Sequence, residues 1–231
     1  MTATNPNVPQ SEIPDHIIIG KVREALAQSP DVNIGNMVVD AANGVVRLVG
    51  IVNTLHEKQT ARRIAVRIAG SGHVDDVLSV ALDHQILDPE IFEAVEEALG
   101  DYPEYDPTAV GVRLVEDGVV YLSGKVFTLQ DSRGAVDIAS RVKGVTRIVN
   151  EIEIAAGRPV DDITLANNVV DSFQDDPRVD PFDIHVRVED GVACIAGEVD
   201  DEEAKAAVTE LAATVPGLRK VVNELQTRES G

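Results

Sequence analysis

Tryptophan is absent, aromatic residues make up only 3% of the chain, and cysteine occurs once, as Cys194. Val, Ile, Leu and Ala must therefore fill any core. A single cysteine excludes an internal disulfide, so nothing requires an oxidising compartment. Basic residues are scarce: 20 Lys and Arg stand against 40 Asp and Glu, for a net charge of −20. Phosphate binding depends on clustered Lys and Arg, so this balance argues against a nucleic-acid partner. It argues equally against simple electrostatic adsorption to an anionic membrane, and it favours a loose cation atmosphere. No apolar run approaches the ~20 residues of a transmembrane helix. Residues 1–9 have neither a basic n-region nor an apolar h-region, so they do not read as a signal peptide. The expected location is cytoplasmic.

What is present is a repeat. Asn43-Gly44-Val45-Val46-Arg47-Leu48-Val49-Gly50 returns as Asp117-Gly118-Val119-Val120-Tyr121-Leu122-Ser123-Gly124. It returns again as Asp190-Gly191-Val192-Ala193-Cys194-Ile195-Ala196-Gly197. The leading glycines lie 74 and then 73 residues apart. Asn-Gly and Asp-Gly suit a two-residue hairpin turn, where both central residues need positive φ. The period exceeds that of solenoid repeats, so the chain reads as three small domains in tandem. They are assigned to residues 13–84, 85–156 and 157–228, after a flexible tail over residues 1–12. A domain of this size buries only about 60–65% of its unfolded surface and is marginal alone. Packing between units or homo-oligomerisation would help.

Each unit opens with an amphipathic helix: Ile18, Val22, Ala25 and Leu26 share one face, as do Ile91, Val95, Ala98 and Leu99, and Leu165, Val169, Ser172 and Phe173. Asp88-Pro89-Glu90 supplies an N-cap, a proline at N1 and an acid in the first turn, with Asp161 and Asp162 acting similarly. Proline-bearing loops follow at Ser29-Pro30-Asp31, Tyr102-Pro103-Glu104 and Asp176-Pro177-Arg178. A first strand alternates through Met37 and Val39, then Val110, Val112 and Leu114, then Ile184, Val186 and Val188. The second unit is one residue out of step with its turn, which predicts a bulge or a longer loop there. On the returning strand, Val46 and Leu48, Val120 and Leu122, and Ala193 and Ile195 should face the core. A longer helix follows, over about residues 55–69 in the first unit, and Gly70, Gly144 and Gly217 are expected to stop it. About three extra residues are expected near Ser71-Gly72-His73. A third strand is expected at 77–82, 148–154 and 221–225. The order is α-β-β-α-β, with a right-handed crossover into a three-stranded mixed sheet and two helices on one face. The fold class is α+β: three tandem two-layer α/β sandwiches. The linkers, 84–88 and 156–159, are short.

These residues resemble the BON domain, named for bacterial OsmY and nodulation proteins. The resemblance rests on the Gly-Val-Val-x-Leu-x-Gly strand, the Ala-rich helix and the Gly-Val-x-x-Val-x-Asn ending. That ending stands at Gly144-Val145-Thr146-Arg147-Ile148-Val149-Asn150 and nearly so at Gly217-Leu218-Arg219-Lys220-Val221-Val222-Asn223. The first unit departs, with His73-Val74-Asp75-Asp76-Val77-Leu78-Ser79. The resemblance implies a mostly non-enzymatic protein associated with stress, the bacterial envelope, phospholipid surfaces or channel and secretin assemblies. One LysM-linked case binds potassium. The family's glycine maps to Gly50, Gly124 and Gly197 and implies a structural role.

No catalytic constellation stands out. Acidic pairs such as Asp75-Asp76 and Asp175-Asp176 fit solvated faces and helix starts. His16, His56, His73, His84 and His185 form no ligand spacing. Cys194 has no base beside it. The candidate structural glycines are Gly44, Gly50, Gly118, Gly124, Gly191 and Gly197. The candidate contact face is the outer side of each sheet: Val45, Arg47 and Val49; Val119, Tyr121 and Ser123; Val192, Cys194 and Ala196. The plainer alternative is a weakly amphipathic, exposed sheet. The expected function is a stress-related, non-enzymatic scaffold that binds a protein or a phospholipid surface and needs no cofactor. The alternative is a potassium-type sensor with a monovalent cation site built from loop carbonyls.

Overall fold

A computed structural model of the chain describes residues 14–81, 86–101, 109–155, 160–174 and 176–228. The expected tail, residue His84, the loop Tyr102-Pro103-Glu104 and the linker 156–159 lie outside the described residues, and so does Asp175.

The first repeat runs α1 (Asp15–Gln28), β1 (Met37–Ala42), β2 (Val45–Val52), α2 (Leu55–Ala69) and β3 (Val74–Val80). Strand β2 is central, antiparallel to β1 and parallel to β3. Val46 and Leu48 point inward and are fully buried with Ile18, Val22 and Leu26 of α1 and Ala61 and Ala65 of α2. The small alanines let α2 lie close to the sheet. Truncating Leu48 to Ala in such a core costs about 3 kcal/mol. Thr54 caps α2 by accepting the Glu57 N–H at 3.1 Å, and the Glu57 carboxylate accepts the N–H groups of Asn33 and Asn53, both at 2.7 Å. Glu57 is thus buried yet fully hydrogen-bonded, and it fastens the loop before β1 to the start of α2.

The second repeat runs α3 (Asp88–Gly100), β4 (Val110–Glu116), β5 (Val119–Val126), α4 (Leu129–Ser140) and β6 (Arg147–Ile154), with β5 central. The third runs α5 (Asp162–Phe173), β7 (Ile184–Glu189), β8 (Val192–Val199), α6 (Glu202–Ala213), β9 (Lys220–Asn223) and β10 (Gln226–Thr227). Ala193 and Ile195 anchor its core against Leu165, Val169 and Phe173 of α5 and Ala207, Val208 and Ala212 of α6. Strands β9 and β10 both run parallel to β8, so the expected single third strand is interrupted at Glu224 and Leu225.

Other expectations need correction. Val46 lies opposite Val74 and Ala193 opposite Val221, the same separation in sequence, so the first repeat carries no extra residues. Residues Ser71–His73 form a 3-10 turn, and β3 starts three residues earlier than expected. Gly70 does cap α2, at φ +86°. Helices α4 and α6 instead end at Ser140 and Ala213, and Gly144 and Gly217 occupy the turn beyond, at φ +87° and +93°. The second repeat accommodates its extra residue within β4. Val112 and then Val115 are buried while Leu114 is exposed, so the inward parity switches mid-strand and Val115 takes the place expected of Leu114.

Candidate functional site

The hairpin turns are type I′ in geometry. Asn43 and Gly44, Asp117 and Gly118, and Asp190 and Gly191 all have positive φ, between +48° and +76°. Each turn is held by a carboxylate from the first turn of the preceding helix. Asp15 accepts the N–H groups of Asn43 and Gly44 at 3.0 and 2.8 Å. Asp88 accepts those of Asp117 and Gly118, both at 3.0 Å, and Asp162 those of Asp190 and Gly191 at 2.9 and 3.1 Å. Asp88 therefore clamps the turn rather than capping its own helix. In the third repeat the two tasks are split: Asp161 caps α5 through the Thr164 N–H, and Asp162 clamps. The backbone and then the side-chain hydrogen bond of Thr164 hold the Asp161 carboxyl below its ordinary range.

Gly50, Gly124 and Gly197 occupy the other end of the hairpin. A Cβ on them would lie 2.1, 2.1 and 1.9 Å from the carbonyl oxygens of Asn36, Ala109 and Asp183. Only glycine lets the neighbouring backbone approach that closely.

A second three-fold feature is hidden in the sequence. The Asn150 side-chain oxygen accepts the Ile152 N–H, and Asn223 accepts that of Leu225, both at 3.0 Å. Asp76 accepts the Leu78 N–H in the same way, also at 3.0 Å. The amide nitrogens of Asn150 and Asn223 donate to α4 and α6, to Ser132 and to Lys205 and Thr209 respectively. In the first repeat Asp76 instead faces the Lys58 ammonium at 3.9 Å. Aspartate thus stands in for asparagine, with a lysine supplying the charge.

On the outer sheet faces the repeats differ. In the first, Val45, Val49, Val38, Ile51 and Val77 are all exposed, and Arg47 pairs with Asp75 at 3.1 Å. In the second, Val119, Tyr121 and Ser123 are half-buried. The Arg113 guanidinium lies 5.1 Å from the Tyr121 ring centre and pairs with Glu151 at 2.8 Å, while Lys125 pairs with Glu153 at 3.3 Å. In the third, Val192 and Ala196 are half-buried, Cys194 is exposed, and Arg187 pairs with Glu189. Val38, Ile51 and Val77 were missed in reading the sequence, although strand alternation puts them beside Val49.

A cleft of about 550 Å³ lies beside the start of α5, lined by Leu165, Arg219 and the acids Asp161, Asp162 and Asp190. Asp161 and Asp162 are already engaged with backbone N–H groups. His56 is buried, its Nε2 3.4 Å from the Thr60 hydroxyl and 3.7 Å from the Asp31 carboxylate. Among the described residues no group of three or more His, Cys, Asp or Glu is placed to hold a metal ion, and no helix is long and apolar enough to cross a membrane.

The turn, glycine strand, paired helices and parallel third strand define the class, and the BON domain pattern matches residues 14–81, 88–156 and 161–229. The chain belongs to the BON domain family, as three tandem copies. It is 28% identical over 147 residues to osmotically-inducible protein Y of Escherichia coli, a match spanning 61% of this chain and 73% of the relative. It is 26% identical over 151 residues to the outer membrane lipoprotein DolP of Haemophilus influenzae, spanning 64% and 78%. A solved structure of CdsD, a structural protein of the type III secretion system of Chlamydia trachomatis, aligns over 93% of this chain and 95% of its own at 20% identity and a TM-score of 0.27. No enzyme family is indicated by these matches. They overturn the cytoplasmic expectation, because DolP is an outer membrane lipoprotein. That expectation rested on the composition of residues 1–9, which lie outside the described residues, together with the single cysteine and the lack of a long apolar run.

Proposed function

We propose that this chain is a non-enzymatic, stress-related binding protein of the bacterial envelope, a scaffold that presents its outer sheet faces to a protein partner or a membrane surface. The observation that carries this reading is the division of labour within each repeat. The carboxylates at the helix starts and the motif glycines are consumed in holding the hairpin, which leaves the sheet face as the surface free to meet another molecule. Membership of a family with an osmotically inducible relative and an outer membrane lipoprotein supports the setting.

The test is complementation with fractionation. A deletion strain of the native host is challenged with osmotic and envelope stress and supplied with the natural gene or with a Val45→Asp/Val49→Asp version. The expected result is envelope fractionation for both proteins, and rescue by the natural gene only, with unchanged protein levels. Soluble cytoplasmic fractionation, or full rescue by the variant, would overturn the reading.

A further inference from the structure

We infer that the outer sheet face of the first repeat is a docking surface for a basic, amphipathic segment of a partner protein. The inference rests on the binding reading above and narrows it to one face and one partner chemistry.

The three repeats act as controls for one another. Register places Val38 opposite Val49 and Val49 opposite Val77, one row across the whole sheet. These side chains are 63%, 38% and 42% exposed, and Ile51, next along β2 on the same face, is 57% exposed. The positions of Val49, Ile51 and Val77 hold Ser123, Lys125 and Glu151 in the second repeat, and Ala196, Glu198 and Glu224 in the third. The position of Val38 holds His185 in the third. The same fold therefore tolerates polar groups at every place in the strip. A stretch of β-branched side chains left in water in one copy alone is not a requirement of folding, and it marks a surface that another molecule covers.

Charge decides among the occupants. The adjacent row is Asp40–Arg47–Asp75. Arg47 pairs with Asp75, and among the described residues Asp40 meets no basic side chain, its Oδ1 accepting only the Ala41 N–H at 2.9 Å. A second copy would bring together two chains of net charge −20 and lay one acidic row near another. An anionic bilayer is repelled for the same reason. A segment with apolar side chains on the valine row and a Lys or Arg reaching Asp40 satisfies both features of the face.

The full chain with labelled Val and Ile methyls is titrated with a synthetic peptide of alternating Val and Lys, with its Val–Glu counterpart, and with phosphatidylglycerol vesicles. The Val–Lys peptide is expected to shift Val38, Val49, Ile51 and Val77 saturably, with Val119 and Val192 unmoved. Val49→Lys should weaken binding about tenfold. Asp40→Asn should weaken it less and flatten its salt dependence. Gln59→Lys, which adds the same charge on an exposed part of α2, should leave it unchanged. The inference is overturned if no peptide binds, if both peptides bind alike, or if Gln59→Lys weakens binding as much as Val49→Lys. It is also overturned if the valines respond only to vesicles or to protein concentration. In those last cases, a complementation defect for Val45→Asp/Val49→Asp would leave the general binding reading standing.

Discussion

At Gly197 a single hydrogen separates a strand that can pass its neighbour from one that cannot. A methyl group there would sit 1.9 Å from the Asp183 carbonyl oxygen, at φ +133°. Gly197→Ala is expected to destabilise the third repeat by about 3 kcal/mol, from backbone strain and forced displacement together. Gly134 lies within α4, and a methyl group added there would meet nothing within 4 Å. Gly134→Ala should therefore stabilise the second repeat by about 0.5–1 kcal/mol through helix propensity. Three repeats need not unfold as one unit, so native-state amide exchange, resolved by repeat, is the measurement that checks both. Asp176 gives a pH signature at the same scale. The Arg178 side chain donates to both of its carboxylate oxygens, at 2.9 and 2.7 Å, and the Arg178 backbone N–H adds a third bond. These bonds hold the Asp176 carboxyl at about 2 rather than 3.8. Its folded value is depressed, so its contribution to stability is present above the ordinary value and is lost as pH falls through about 2. The carboxyl-carbon shift of Asp176 should titrate near 2, and Arg178→Gln should bring it back toward the ordinary value.

At the scale of elements, the helix start and the hairpin turn behave as one piece. The Asp162 carboxylate takes two backbone N–H groups that the tight turn leaves without partners. Asp162→Ala should cost about 1–2 kcal/mol and speed exchange of the Asp190 and Gly191 amides, while Asp162→Asn, keeping one acceptor, should cost less. Unchanged exchange at those two amides in the alanine variant would show that the clamp is incidental. The elements were legible in the sequence because their signals are local: apolar spacing set the first helices, and Asn-Gly and Asp-Gly set the turns. What was not legible depends on contacts across the fold. An aspartate at a helix start reads as a cap, and only geometry shows Asp88 and Asp162 turned toward a hairpin about thirty residues on. Asp76 hid its kinship with Asn150 and Asn223 because its amide function is replaced by a charge facing Lys58. The third strand of the first repeat was consequently placed three residues late. The outer face was legible only between the two motif glycines of each central strand, since alternation was not followed past Gly50 to Ile51 or across the sheet to Val38 and Val77.

For the whole molecule the dominant fact is a net charge of −20. Self-repulsion of this size destabilises the compact state, and added salt relieves it through screening. At 0.1 M the Debye length is about 10 Å, and at 1 M about 3 Å, so most of the gain should come below molar salt. Screening depends on ionic strength and not on which alkali cation supplies it. A selective site needs several oxygen ligands held in one geometry. The carboxylates clamping the three turns are already used by backbone N–H groups. Thermal unfolding in potassium and in sodium chloride at matched ionic strength is therefore expected to give coincident curves that rise and then level off. A potassium-specific increment that keeps rising with the logarithm of concentration would instead follow ligand linkage, and the concentration at which that rise sets in would report the dissociation constant of a cation site. Coincident curves would count against a site that selects potassium over sodium and would leave the salt response to screening alone.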